Sequence, residues 1–249
     1  MTQLLISVKS AEEALIALDA GVDIIDLKDP NIGALGALDL NASLQILQKV
    51  QQYKQLSSSR MLPLTSATVG EGHADLDVML KEIDARVKMG IDIIKIAVSD
   101  LFNNTDCLID ITQSQHVKLI AVFFADQSID LNLLEKLKDS GFYGAMIDTH
   151  KKQQNLLEIC TLSTLQKFTQ ICEKNGLKSG LAGSLKPLHI EDLVAINPSY
   201  IGFRGGVCSN ESRINGLIRH KIVNVKQMLQ EHNKTKCEAQ VSLGLALHS

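Results

Sequence analysis

The sequence contains no tryptophan, and aromatic residues make up only 4% of its 249 positions. Sites that hold single-stranded nucleic acids or sugars use aromatic side chains as stacking surfaces, so we do not expect such a site here. Positive charge is not in excess, because 25 Lys and Arg residues stand against 28 Asp and Glu residues. The net charge of −3 argues against nucleic acid or a membrane surface as a partner.

Cysteine is scarce, odd in number and scattered. The absence of a C-x-x-C pair predicts free thiols in a reducing compartment and excludes a zinc cluster built on cysteine. No apolar run approaches the roughly 20 residues that span a bilayer, and the first residues carry no basic region or cleavage site of the secretory type. We therefore expect a cytoplasmic protein. The five cysteines are Cys107, Cys160, Cys172, Cys208 and Cys237.

Short apolar segments alternate with helical patterns along the whole chain. This alternation requires a parallel sheet, and eight units close into a (β/α)8 TIM barrel, an α/β fold of one domain. The runner-up is a doubly wound open sheet, which would need a glycine-rich fingerprint after the first strand, where Lys9-Ser10-Ala11 stands instead. The predicted strands cover residues 4–8, 24–27, 64–69, 91–96, 118–124, 144–147, 178–182 and 200–203.

The predicted barrel domain covers residues 1–231, and its last helix covers residues 213–230. Ser10 with Glu13 predicts a capping box at the first helix, and Asn41 is the expected cap of the second. Residues 232–249 form a tail that docks on the barrel, docks on a neighbouring subunit or is disordered. A homo-oligomer is therefore left open as a partner.

The second predicted strand ends in an acid and a lysine. Because side chains alternate along a strand, Asp26 and Lys28 point to the same face as Ile24. A buried strand has no favourable place for charge, so the two residues indicate either a structural ion pair or a ligand site. Lys95, near the end of the fourth strand, repeats the pattern and favours a site in which amines react.

In a (β/α)8 barrel the active site lies at the carboxyl ends of the strands. The polar residues predicted there are mainly cationic with two carboxylates, Asp26 and Asp148, and show no His–carboxylate cluster at metal spacing, so we expect neither a metal nor another cofactor. His150 alone is more typical of a solvated loop. A cationic pocket suits phosphate, and glycine-rich turns after strands seven and eight, where barrels often bind phosphate, support this. The predicted phosphate-binding residues are Gly183, Ser184, Arg204, Gly205 and Gly206.

Lysines at strand ends usually supply only counter-charge. A Schiff base with a carbonyl substrate is the sharper alternative, and it needs a neutral amine, which burial and a neighbouring cation promote. Lys28 and Lys95 could supply that mutual effect, while Asp26 and Asp148 move protons.

Five segments of the chain resemble the (5-formylfuran-3-yl)methyl phosphate synthase family, and the similarity extends over about residues 4–225. The resemblance implies a (β/α)8 enzyme of methanofuran or methylofuran biosynthesis that joins two molecules of glyceraldehyde 3-phosphate, a small-molecule substrate, into a phosphorylated furan aldehyde with loss of phosphate and water. The segments are residues 21–36, 66–70, 145–149, 180–186 and 202–205.

The resemblance also implies roles for individual residues. Lys28 matches the Schiff-base lysine and Lys95 the acid–base lysine of the family, while Asp26, Asp148 and Lys152 match the remaining polar residues of its site. Two other functions remain open from the residues themselves. One is a class I aldolase or isomerase of sugar phosphates, and the other is a barrel that binds phosphorylated metabolites without catalysis.

Overall fold

The computed structural model describes residues 1–57, 62–71, 75–113 and 117–246, without the side chains of 237 and 239–246. Eight strands and nine α-helices occur in these ranges. The strands are β1 (Gln3–Val8), β2 (Ile24–Leu27), β3 (Leu64–Thr68), β4 (Ile93–Ala97), β5 (Lys118–Phe124), β6 (Gly144–Asp148), β7 (Lys178–Leu181) and β8 (Tyr200–Phe203).

The strands form one closed parallel barrel, in which each strand pairs with the next and β8 pairs with β1. The predicted (β/α)8 barrel is confirmed. The open doubly wound sheet is excluded, because such a sheet leaves its edge strands unpaired with one another.

The helices follow the strands in chain order, and their boundaries differ from prediction mainly at the end of the chain. The last helix begins at Arg219 rather than at residue 213 and continues past residue 231 to Ala246. The helices are α1 (Ala11–Asp19), α2 (Leu40–Leu56), α3 (Leu76–Lys88), α4 (Thr105–Gln113), α5 (Leu133–Asp139), α6 (Leu156–Ile159), α7 (Leu162–Lys174), α8 (Ile190–Ala195) and α9 (Arg219–Ala246).

The beginning of the predicted tail contacts the base of the barrel. The side chain of Asn233 accepts a hydrogen bond from the Thr2 amide at 2.9 Å and donates to the Thr2 carbonyl at 3.0 Å. Lys236 donates to the side chain of Asn197. Within the described ranges, no helix combines the length and the apolar character needed to cross a bilayer.

The caps of the first two helices agree only in part with those predicted from the sequence. Ser10 accepts from the amide of Glu13 at 3.3 Å, as predicted, but the Glu13 carboxylate accepts from Lys9 instead of closing a capping box on Ser10. Asp39, not Asn41, caps α2, accepting at 2.9 Å from the Asn41 amide. A carboxylate at this position also interacts favourably with the positive end of the helix dipole.

Successive side chains of β2 point alternately toward the surrounding helices and into the barrel interior. Ile25 and Leu27 are fully buried among the apolar residues between barrel and helices. Ile24 belongs to the apolar cluster inside the barrel, and Asp26 lies on the same side of the strand. The strand therefore delivers a carboxylate to the barrel interior, above a layer of apolar side chains.

Tyr200 fills much of that interior layer. A Cβ at Gly180 would lie 2.2 Å from the Tyr200 ring, so only glycine leaves room for it. The apolar packing beneath the site therefore depends on one glycine of β7.

Candidate active site

A cavity of about 550 Å³ opens at the carboxyl ends of the strands. This volume is typical of a small-molecule site. All ten site residues that were predicted from the sequence line this one cavity. They are Asp26, Lys28, Lys95, Asp148, Lys152, Gly183, Ser184, Arg204, Gly205 and Gly206.

Asp26 is completely buried and held from three directions. Ser7 of β1 and Ser66 of β3 lie beside it in the strand register and donate hydrogen bonds of 2.8 and 2.7 Å to its two oxygens. Lys95 Nζ lies 2.7 Å from Asp26 Oδ1. Burial alone would raise the pKa of Asp26, but Lys95 and Lys28 hold it below its ordinary value, so the carboxylate stays ionised.

Lys95 is the other half of this buried pair, with 2% of its side chain exposed. Burial lowers its pKa and the charge of Lys28 lowers it further, whereas Asp26 opposes the shift. A lowered lysine pKa makes the neutral amine more accessible near neutral pH, which is what an acid–base catalyst requires.

Asp148, at the end of β6, is shared by two lysines. Its Oδ1 lies 2.8 Å from Lys152 Nζ and its Oδ2 lies 3.7 Å from Lys28 Nζ. The amide of Thr149 also donates to Oδ1 at 2.7 Å. Burial acts to raise the pKa of Asp148, but Lys152 and Lys28 dominate and hold it at about 2.

The two lysines on Asp148 differ in how firmly they are held. Lys152 Nζ donates to Asp148 and to both the carbonyl and the hydroxyl oxygen of Thr149, which uses all three hydrogens of an ammonium group. Lys28 Nζ makes no hydrogen bond to any of the described residues and lines the cavity. Lys28 is therefore the lysine whose amine is free to meet a ligand.

The charges of this cluster do not cancel. Three lysines share two carboxylates, so the fully ionised cluster carries one excess positive charge in a largely buried position. Loss of one proton would make the cluster neutral and lower the electrostatic cost of burying it.

Arg204 differs from the expected phosphate ligand, because all five of its N–H groups donate within the protein. Nη1 and Nη2 together grip the two carboxylate oxygens of Glu13. The other bonds go to the carbonyls of Ser7 at 3.1 Å, Arg213 at 2.8 Å and Asn215 at 3.0 Å. A phosphate would have to displace a buried ion pair to reach this guanidinium, which opposes the role predicted from sequence.

The glycines of the two predicted phosphate turns serve close packing of the chain. Gly183 has a φ of 122°, and a Cβ there would lie 2.7 Å from Cγ2 of Thr149. A Cβ at Gly206 would lie 2.3 Å from the Leu185 carbonyl oxygen. These two positions therefore need glycine even in the absence of a ligand.

Both turns nevertheless offer unengaged backbone donors at the cavity. Ser184, Gly205 and Gly206 line the cavity, and none of their amides donates to another group in the part of the chain that the structure describes. Amides in such a position can bind the oxygens of an anion.

His150 lies on a loop beside the cavity, as the sequence indicated. Its Nε2 lies 2.9 Å from Glu71 Oε2, and its ring packs edge-on against Phe124. No group of three or more His, Cys, Asp or Glu side chains suited to a metal occurs among the described residues.

Two residues that line the cavity were not predicted from the sequence to belong to the site. Ser7 carries no motif, although its place in β1 beside Asp26 was a geometric consequence of the barrel. Arg213 was assigned to the last helix, but it lies in the loop before α9 and lines the cavity. No local signal separated this arginine from an ordinary helix residue.

Solved structures share this fold at low sequence identity. Phosphoribosyl anthranilate isomerase from Thermus thermophilus matches with a TM-score of 0.62 and 11% identity over 92% of this chain and 99% of its own. 3-Hexulose-6-phosphate synthase from Salmonella typhimurium matches with a TM-score of 0.60 and 15% identity, over 93% and 100%. At these identities the likeness concerns the fold alone. The fold and the site define a (β/α)8 barrel with a lysine–carboxylate cavity at the strand ends.

Sequence comparisons identify the family. The family described as 4-HFC-P synthase matches residues 4–226. A Methylorubrum extorquens protein provisionally assigned as a (5-formylfuran-3-yl)methyl phosphate synthase is 37% identical over 85% of this chain and 84% of its own. The synthases of that name from Methanothermobacter thermautotrophicus and Methanocaldococcus jannaschii are each 30% identical, over 91% and 88% of this chain and 98% and 96% of their own. The chain belongs to the 4-HFC-P synthase family and is an enzyme of that family.

Replacing Asp148 by asparagine tests the charge pairing through the pH dependence of stability. The folded-state pKa of about 2 lies below the ordinary value of 3.8, so the carboxylate stabilises the native protein above the higher value. That contribution, roughly 2 kcal/mol, should be lost as the pH falls through the interval between the two values. The free energy of unfolding of wild type minus that of Asp148→Asn, measured by urea denaturation, should shrink accordingly.

The exposed Asp139, paired only with Lys138 on the surface, supplies a matched control. The difference between wild type and Asp139→Asn should stay small throughout the same pH range. A difference for Asp148→Asn that does not change with pH would contradict the pairing described above.

Proposed function

We propose that the protein condenses two molecules of glyceraldehyde 3-phosphate into (5-formylfuran-3-yl)methyl phosphate through a Schiff base on Lys28. One inorganic phosphate and two waters leave, which balances the atoms of the two trioses against the product. Family membership supports this reaction, since relatives covering most of the chain carry the name of this synthase. The observation that supports the mechanism best is that three lysines share two carboxylates and only the ammonium group of Lys28 is left without a hydrogen bond to the described residues.

The geometry favours Lys28 as the amine that attacks the carbonyl. Lys95 is nearly fully buried and paired with Asp26 at 2.7 Å, and Lys152 has all of its ammonium hydrogens engaged. Among the described residues, the side chain of Lys28 has only the 3.7 Å ion pair with Asp148, and it lines the cavity. In the proposed step the nitrogen of Lys28 bonds to the carbonyl carbon and the carbonyl oxygen leaves as water, which acidifies the neighbouring C–H.

Proton transfers then fall to the groups around the imine. Lys95, whose lowered pKa favours the neutral amine, is suited to take a proton and return it. Asp148 and Lys152 lie beside Lys28 and can serve the steps of isomerisation, addition and elimination. Asp26 keeps its charge and stabilises the cations that form, because its pKa is held low.

The substrate's phosphate groups need donors as well as the lysines. The unengaged amides of Ser184, Gly205 and Gly206 support a phosphate position at the ends of β7 and β8. Arg204 contributes there indirectly, by fixing the loop with its bonds to Glu13 and to the carbonyls of neighbouring residues.

Borohydride trapping tests the covalent role of Lys28. Reduction in the presence of glyceraldehyde 3-phosphate should leave a triose-derived adduct on the peptide that contains Lys28. Lys28→Arg keeps the charge but cannot form an imine, so it should fold, give no adduct and lose furan formation by at least about a thousandfold. Peptide mass spectrometry and the ultraviolet absorbance of the aldehyde measure the two effects.

Lys138→Arg, at an exposed position on α5, is the matched control and should behave as wild type. Adduct on Lys152 or Lys186 instead of Lys28 would show that a different amine reacts. Furan formation by Lys28→Arg at the wild-type rate would rule out the imine mechanism altogether.

The stoichiometry of the reaction distinguishes the synthase from an aldolase or isomerase of sugar phosphates. The synthase should consume two molecules of glyceraldehyde 3-phosphate for each inorganic phosphate and each furan aldehyde formed, because elimination and ring closure accompany carbon–carbon bond formation. An enzymatic phosphate assay and the absorbance of the product measure both quantities in one reaction. Consumption of the triose with no phosphate release would favour the aldolase or isomerase.

A further inference from the structure

The cations that line the cavity are not equally compensated. Five of the six form an ion pair with a carboxylate, at 2.7 to 3.7 Å for the four lysines. Arg213 pairs with no carboxylate among the described residues, although Asp148 and Glu71 influence it from a greater distance. The five paired cations are Lys28, Lys95, Lys152, Lys186 and Arg204.

The guanidinium of Arg213 is only partly engaged. Its Nη2 donates to the carbonyl oxygens of Pro30 and Gly33, in the loop that follows Lys28. Its Nε and Nη1 donate to nothing in the described part of the chain. An arginine keeps its charge in proteins, so a half-buried cation that pairs with no carboxylate of the described residues, and has N–H groups to spare, lines this cavity.

Arg213 is also held in place from behind. Arg204 Nε donates to the Arg213 carbonyl at 2.8 Å, and a Cβ at Gly205 would lie 3.6 Å from the Arg213 amide nitrogen. The buried Arg204–Glu13 pair therefore positions the backbone of Arg213 beside the amides of the β8 turn. Such a preorganised arginine can bind an anion with little loss of conformational entropy.

We propose that Arg213 binds a phosphate group of the triose phosphate substrate, in the role that the sequence assigned to Arg204. Its Nη1 and Nε hydrogens remain available to donate to phosphate oxygens, and the phosphate supplies negative charge beside a guanidinium that has no paired carboxylate among the described residues. The same side chain joins the loop after β2 to the loop after β8, so the bound phosphate lies where these two loops meet. The proposal rests on the proposed function only for the identity of the ligand.

Binding of glycerol 3-phosphate tests this role without any chemistry, because that compound has no carbonyl to form an imine. Its dissociation constant, measured by calorimetry, should rise about tenfold to a hundredfold in Arg213→Met, as expected for the loss of a charge-assisted contact. The dissociation constant of Arg213→Lys should fall between those of the wild type and Arg213→Met, since lysine keeps the charge but cannot both bridge the loop carbonyls and donate to the ligand as the guanidinium does. Arg219→Met should bind as wild type does, because Arg219 is exposed and, among the described residues, donates to the Asp19 carbonyl alone.

A purely structural role for Arg213 predicts a different pattern. Arg213→Gln retains a hydrogen-bond donor for the carbonyls of Pro30 and Gly33 but has no charge. It can replace Arg213→Met in the binding experiment if the methionine variant does not fold. If Arg213 binds phosphate, this variant should lose part of the preference for the dianion of glycerol 3-phosphate over its monoanion. The preference is measured as the ratio of the dissociation constants above and below the phosphate pKa of about 6. An unchanged ratio, or unchanged binding in folded Arg213 variants, would overturn the proposal.

The two proposals fail in different ways. Normal binding of glycerol 3-phosphate by wild type with weak binding by the Arg213 variants supports the phosphate role even if no furan is made. Intact furan synthesis with normal binding in the Arg213 variants would overturn the phosphate role alone. Absence of binding by the wild-type protein would overturn it as well.

Discussion

Ion pairs between two buried carboxylates and three lysines set the charge of the cavity at the carboxyl ends of the strands. Asp26 and Asp148 stay ionised because lysines surround them, and the lysines stay in the barrel because the carboxylates compensate them. Removal of either acid would strand a buried cation, which typically costs 3–5 kcal/mol. Burial lowers the pKa of Lys95 and of Lys152 although each pairs with a carboxylate, and this shift favours the neutral amines on which the proposed imine chemistry depends.

The closed barrel makes this arrangement possible. Parallel register places Ser7, Asp26 and Ser66 side by side, so that three neighbouring strands satisfy one carboxylate. Closure of β8 against β1 brings Arg204 onto Glu13, and this second buried pair fixes the loop that carries Arg213. The proposed catalytic groups and phosphate donors thus occupy one end of the barrel, while an apolar cluster that includes Tyr200 lies below them.

Much of this could be read from the sequence, and the failures have physical causes. The sequence correctly placed Asp26 and Lys28 on one face, because side chains alternate along a strand. It also placed Lys95 and Asp148 near the ends of their strands, because strand positions follow from local periodicity. The partner of Arg204 could not be found, since Glu13 stands 191 positions away and meets it only through barrel closure. The extent of α9 was also missed, because residues 213–218 satisfy a helical pattern but lie in a loop set by tertiary contacts.

The most direct test of the account is a count of neutral lysines at neutral pH, by NMR of the protein labelled at the lysine side-chain carbon next to Nζ. We predict that one proton leaves the lysine cluster below the ordinary lysine pKa of about 10.4, so that a neutral-amine signal is present at neutral pH. This signal should disappear in Lys95→Met, in which two lysines face two carboxylates. If all lysines in the wild-type protein remain protonated until the ordinary value is reached, the excess lysine does not release its proton and the central claim is wrong.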